Sequence, residues 1–95
     1  MDDILKQLED AETAFYVPLR MGDGYDEEKF QHLCQAIRNV NKYYAHSDVL
    51  PKKCVILFVG LSSAIEGCKP FYSDTVKQRL LDASIILEEL ILEGL

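Results

Sequence analysis

The sequence predicts an all-α fold, an antiparallel four-helix bundle forming a single domain over residues 1–95. Three observations carry that expectation. Turn signals divide the chain into four segments, at about 2–17, 26–45, 51–66 and 73–93, and each repeats its apolar residues with helical period. The connections are short, so consecutive helices should run antiparallel. A chain of 95 residues, 48% of them hydrophobic, supplies one core without needing disulfides or metals to staple it.

In the first segment Ile4, Leu8, Ala11 and Phe15 define the buried face, and Asp2 or Asp3 suits the positive end of the helix dipole. Pro18 biases Val17 away from the α region, so the helix is expected to close there. Leu19 to Tyr25 follows as the most flexible loop, because it holds Gly22 and Gly24. Asp26 is a good N-cap for the second helix, with Glu27 and Glu28 in its first turn. Phe30, Leu33, Cys34, Ile37, Val40 and Tyr44 then fall within roughly 120° of arc, the cleanest amphipathic signal in the chain.

The third segment is ambiguous, since Cys54-Val-Ile-Leu-Phe-Val59 is rich in β-branched residues and could be a buried strand, although helix is the favoured reading. No other segment offers that strand a partner. As a helix, Pro51 takes a permitted first-turn position and Gly67 serves as the stop. Cys54, Leu57, Phe58, Leu61 and Ile65 line one face, while Val55, Ile56 and Val59 spread around the others. A helix apolar nearly all round is expected at the centre of a bundle. Ser73 or Asp74 caps the last helix, with Tyr72 placed as a hydrophobic staple.

That last helix carries two apolar faces. Val76, Leu80, Ala83, Leu87, Leu90 and Ile91 share a broad one, and Leu81, Ile85 and Leu92 fall close together on roughly the opposite side. A domain of this size easily covers only one. The second stripe must meet another helix of the chain, a second copy making a homodimer, or a different partner.

Charge and cysteine usage exclude several classes. The net charge is −6, from 16 acidic against 10 basic side chains, and the largest basic cluster is the pair Lys52-Lys53. Such a chain repels phosphate backbones, so no nucleic-acid partner is expected. The longest unbroken apolar run, Cys54 to Val59, is far short of the roughly 20 residues that a membrane span requires. Three cysteines, with no C-x-x-C, and a start of Met1-Asp2-Asp3 that lacks the charge of a signal peptide, fit reduced thiols in the cytoplasm.

No catalytic, cofactor or metal motif survives inspection. Glu28 and His32 at i and i+4 would supply two metal ligands, and two do not make a site. Cys34 and Cys54 lie on buried stripes and read as small core residues. Cys68, in the last connection, is the thiol expected at the surface, with only Lys69 nearby to activate it. Aligning Gly24 with the glycine of a calcium loop puts Leu19, Met21 and Phe30 at ligand positions, and the pattern fails. No lysine follows the glycines to cradle phosphate. Phe15, Phe30 and Phe58 would line a ligand cavity only if the core were hollow, and packed core is the ordinary fate of such residues. The chain is therefore not expected to be an enzyme or to hold a cofactor.

What remains is binding. Asp2, Glu9, Glu12 and Tyr16 fall within about 80° on the first helix, and Asp23, Tyr25, Asp26, Glu27 and Glu28 crowd the loop and the start of the second. Carboxylates interleaved with tyrosines suit a basic protein partner, although a solvated acidic face with helix-capping charge accounts for the same residues. In size, acidity and helical content, and in no motif, the chain resembles the small acidic helical immunity proteins of bacterial toxin systems. The resemblance implies inhibition of a basic enzyme, such as a nuclease toxin, and carries over no residues; the charge pattern itself assigns the occluding surface to Glu9, Glu12, Tyr16, Asp23, Tyr25, Asp26, Glu27 and Glu28. The alternative expectation is a homodimeric adaptor or regulatory module acting through Leu81, Ile85 and Leu92.

Overall fold

The computed structural model of the chain describes residues 2–46, 52–68, 70 and 72–93, and of these the side chains of Asp2, Lys53, Cys54, Leu57 and Ser62 lie outside the description. It is an all-α bundle of four helices, α1 (Asp2–Arg20), α2 (Glu27–Tyr43), α3 (Lys52–Cys68) and α4 (Asp74–Glu93), with no strand among the described residues. The β-rich run 54–59 is helical throughout.

Three hydrogen bonds between two side chains, Tyr72 and Asn41, and distant backbone fix the helix directions. The Tyr72 hydroxyl, just ahead of α4, donates to the Leu19 carbonyl at 2.5 Å and accepts from the Gly24 N–H at 3.2 Å. The end of α1, the start of α2 and the start of α4 therefore meet at one end of the bundle. Asn41 Nδ2 donates to the Leu90 carbonyl at 2.7 Å and ties the ends of α2 and α4 together at the other. Helices α2 and α4 thus run parallel to each other and antiparallel to α1, while α3, joined to α4 by a short connection, runs with α1. Among the described residues α1 packs against α2 and α3, and α4 packs against the same two. Consecutive helices are antiparallel, as expected, but α2 and α3 are diagonal, and each helix has one parallel neighbour. The result is a rod of 41 × 21 × 20 Å.

The core forms from the stripes the periodicity marks: Leu8 and Phe15 of α1, Phe30, Leu33, Cys34, Ile37 and Val40 of α2, Phe58, Leu61 and Ile65 of α3, and Leu80, Ala83, Leu87 and Leu90 of α4 are all buried. Phe15 and Phe30 pack ring to ring, with centroids 5.5 Å apart, so the phenylalanines fill the core. Val76 and Ile91 are partly buried against the same cluster. Asp26 caps α2 as expected, its Oδ1 accepting from the Lys29 N–H at 3.1 Å, and Tyr44 is the C-cap one residue before the expected end at 45.

Three helix-end expectations are corrected. Helix α1 does not close at Val17 but runs through Pro18 to Arg20. Proline forfeits the bond to the Ala14 carbonyl and disfavours a helix interior by about 3 kcal/mol. Against that, Leu19 is fully buried, which contributes roughly 1.5–3 kcal/mol, and the true stop lies further on. Gly22, at φ +81°, takes the left-handed position of a Schellman cap. The Gly22 N–H donates to the Leu19 carbonyl at 3.2 Å, and the Asp23 N–H to the Pro18 carbonyl at 2.9 Å. Gly67 does not stop α3, which continues to Cys68 because that side chain is buried; Gly67 lacks the positive φ of a cap. Tyr72 is not a simple staple, since the staple position facing it is Lys77; its ring packs on the core and its hydroxyl makes the two bonds above. Pro51 and the side chains of Cys54 and Leu57 lie outside the described residues.

Candidate functional site

The acidic end of the bundle is assembled much as the sequence implies, but most of its groups are spent on the fold. Asp26 holds the start of α2. The Tyr25 hydroxyl donates to Glu27 Oε2 at 2.5 Å, and Gln31 Nε2 donates to Glu27 Oε1 at 2.9 Å. These two bonds, Tyr25 first, hold the Glu27 carboxyl below the usual carboxylate range. Burial, and then the bond to Glu27, push the Tyr25 phenol far above its ordinary value. The Tyr25 ring packs edge-on to Phe15 at 5.7 Å and tilted against Phe30 at 6.0 Å, so it belongs to the core margin. Of the five residues in this cluster, Asp23 and Glu28 are left exposed without such a structural duty.

The acidic ridge of α1 lies on a different flank. Gln7, Ala11 and Ala14 face α2 across an open groove, which turns Glu9, Glu12 and Tyr16 toward α3. All three are half-buried, and the side chain of Asp2 lies outside the description. Burial raises the Glu12 pKa, with the Glu9 charge adding to it and a hydrogen bond to Thr13 opposing. The two acidic groups therefore do not merge into one surface.

Helix α4 presents its second stripe to solvent. Leu81, Ile85 and Leu92 are exposed, the latter two to 46% and 67%, so intramolecular burial does not account for them. The expectation that α3 is central is also overturned: Val55, Ile56 and Val59 are exposed, the last two to 71% and 72%. The reason is topological. A four-helix bundle has no central helix, each member having two neighbours and one free side. These two sets lie on one surface. On α4, Arg79, Ala83 and Ile86 face α2, so at 100° per residue Leu81, Ile85 and Leu92 fall outward on the α3 flank. On α3, which runs with α1 and packs between α1 and α4, Phe58, Leu61 and Ile65 face the core, and right-handed winding then turns Val55 and Val59 to the α4 flank and leaves Ile56 outermost. Together they form an apolar outer face across α3 and α4. From Cys54 to Ile65 the α3 sequence contains no charged residue; Lys52 and Glu66, towards the ends of α3, and Glu88 of α4 fall on the same side of their helices as the apolar set.

No cluster of three or more metal-ligand side chains occurs among the described residues; Glu28 and His32 stand exposed on α2. Cys34 is buried, as expected, and Cys68 is not a surface thiol: it ends α3 inside the core. Burial raises the pKa of both thiols. No helix among the described residues is long and apolar enough to cross a membrane. No protein-family model, curated protein or solved structure matches the chain. The sequence signal for the α3 half of the outer face was present in the all-round apolarity of residues 54–61, but read there as depth in the bundle.

Proposed function

We propose that the chain is a helical protein-binding module whose working surface is the apolar outer face of α3 and α4. The observation that carries this reading is the exposure of Val55, Ile56, Val59, Leu81, Ile85 and Leu92 on one side of the rod. Scattered surface leucines need no explanation, but six exposed aliphatic residues on one side of two neighbouring helices mark an interaction surface. One core cluster joins all four helices behind this face, and the described residues offer no convergent polar constellation for catalysis. A partner's apolar side chains docking here would remove water from both surfaces, and that is the driving force available.

Aspartate at Ile56 and Ile85 together tests the reading without threatening the fold, since both positions are exposed. In fresh lysate of the producing cell the unaltered chain should elute well above its own 10.8 kDa on gel filtration. The double variant should elute near that mass with helicity unchanged. Identical elution of the two proteins would overturn the reading.

A second reading, inhibition of a basic enzyme such as a nuclease toxin through the acidic end, is favoured by the exposed carboxylates of Asp23 and Glu28 beside the open recess between Pro18 and Lys29. It predicts a complex that dissolves with rising salt and survives the Ile56/Ile85 substitutions.

A further inference from the structure

We infer that the occupant of the outer face is a second copy of this chain, docked α3–α4 against α3–α4 about a two-fold axis. The inference rests on the docking reading above and adds the identity of the partner. It begins from the two-sided character of the α3–α4 hairpin. One side is buried against α1 and α2 through Phe58, Leu61, Ile65, Leu80 and Leu87, and the other carries the six exposed aliphatic residues. A hairpin apolar on both sides is a middle layer, and within one chain only one side is covered. A second copy covers the other with a surface of the same length and character, and α3 then becomes the central helix that its composition calls for. The two hairpins, with helices of 17 and 20 residues, would form a four-helix layer between the two α1–α2 pairs.

A stable interface buries on the order of 1,200 Å² or more in total, and each copy brings to it six aliphatic side chains exposed by 38% to 72% along two helices of 17 and 20 residues. The charges permit it as well. Residues 1–28 carry nine of the 16 acidic side chains and two of the 10 basic ones, so the charge that would repel a like copy is concentrated away from α3 and α4. Between Cys54 and Ile65 nothing selects a charged partner of another kind. The remaining repulsion between two chains of net charge −6 is long-range and screened by salt.

Sedimentation equilibrium of the purified full chain from about 1 to 500 µM, at low and high salt, tests the inference. The expected mass at the upper concentrations is 21.6 kDa, twice 10.8 kDa, with association strengthening as salt rises. Val59→Asp or Ile85→Asp should weaken association roughly 30-fold or more, because each would bury an unpaired carboxylate. Met21→Asp, exposed in the turn after α1, should leave it unchanged. A chain that stays at 10.8 kDa throughout overturns the inference, as does a dimer indifferent to both substitutions or one that weakens with salt. A monomeric purified chain that still elutes high in lysate, and loses that with the Ile56/Ile85 variant, would leave the docking reading standing and remove the second copy as its occupant.

Discussion

The pair Tyr25 and Glu27 shows how a residue that looks like a contact for a partner becomes part of the scaffold. The phenol donates to the carboxylate while its ring wedges against Phe15 and Phe30, so one side chain joins the loop, α1 and α2. The folded-state pKa of Glu27 is depressed, so its bond contributes stability above the ordinary carboxylate pKa and loses it as pH falls through the lowered value. Glu12 works in the opposite sense: its pKa is raised, so its contribution is present at acid pH and is lost as pH rises through the raised value. Tyr25→Phe should therefore move the Glu27 titration upward, as read by carboxyl carbon shifts in NMR, and make the acid loss of stability shallower. The cost at neutral pH should be under about 1 kcal/mol, since the carboxylate is exposed and solvent screens it. An unmoved Glu27 titration would show that the hydroxyl bond contributes nothing.

At the scale of the element, the helices and the core of α2 were legible because Phe30, Leu33, Cys34, Ile37 and Val40 keep one period over the whole segment. The end of α1 was not, because Pro18 is a strong local signal, and the burial of Leu19 with the Gly22 cap that outweighs it depends on tertiary contact. The docking face was half legible. The amphipathic stripe Leu81, Ile85, Leu92 stands out against the core face of α4, whereas Val55, Ile56 and Val59 are uninformative in a helix apolar all round, since periodicity cannot say which side faces out. Gly60 lies beside Ile56 on the outward side of α3, turned towards α1, and a Cβ there would meet nothing within 4 Å. Gly60→Ala should accordingly stabilise the dilute chain by about 0.5–1 kcal/mol, measured as a shift in the urea midpoint at constant slope. A destabilised variant would mean that the backbone at Gly60 is closely approached from within the chain.

At the scale of the whole molecule, net charge and the outer apolar face are segregated: residues 1–28 carry nine acidic against two basic side chains, whereas α3 and α4, which bear the six aliphatic residues of that face, carry six against four. Segregation of this kind suits a protein that stays dispersed through one side and associates through the other. The most direct test of that division is the reactivity of a cysteine placed on each side. Ser63→Cys sits on the outer side of α3 and Gln35→Cys on the far side of α2, both at exposed positions. Maleimide labelling of each is followed by mass at the labelled peptide, in fresh lysate and in dilute purified protein. The account predicts that the cysteine at position 63 is protected several-fold in lysate while the one at 35 reacts at its dilute rate. Equal labelling at position 63 in both settings, or protection at 35 instead, would contradict it.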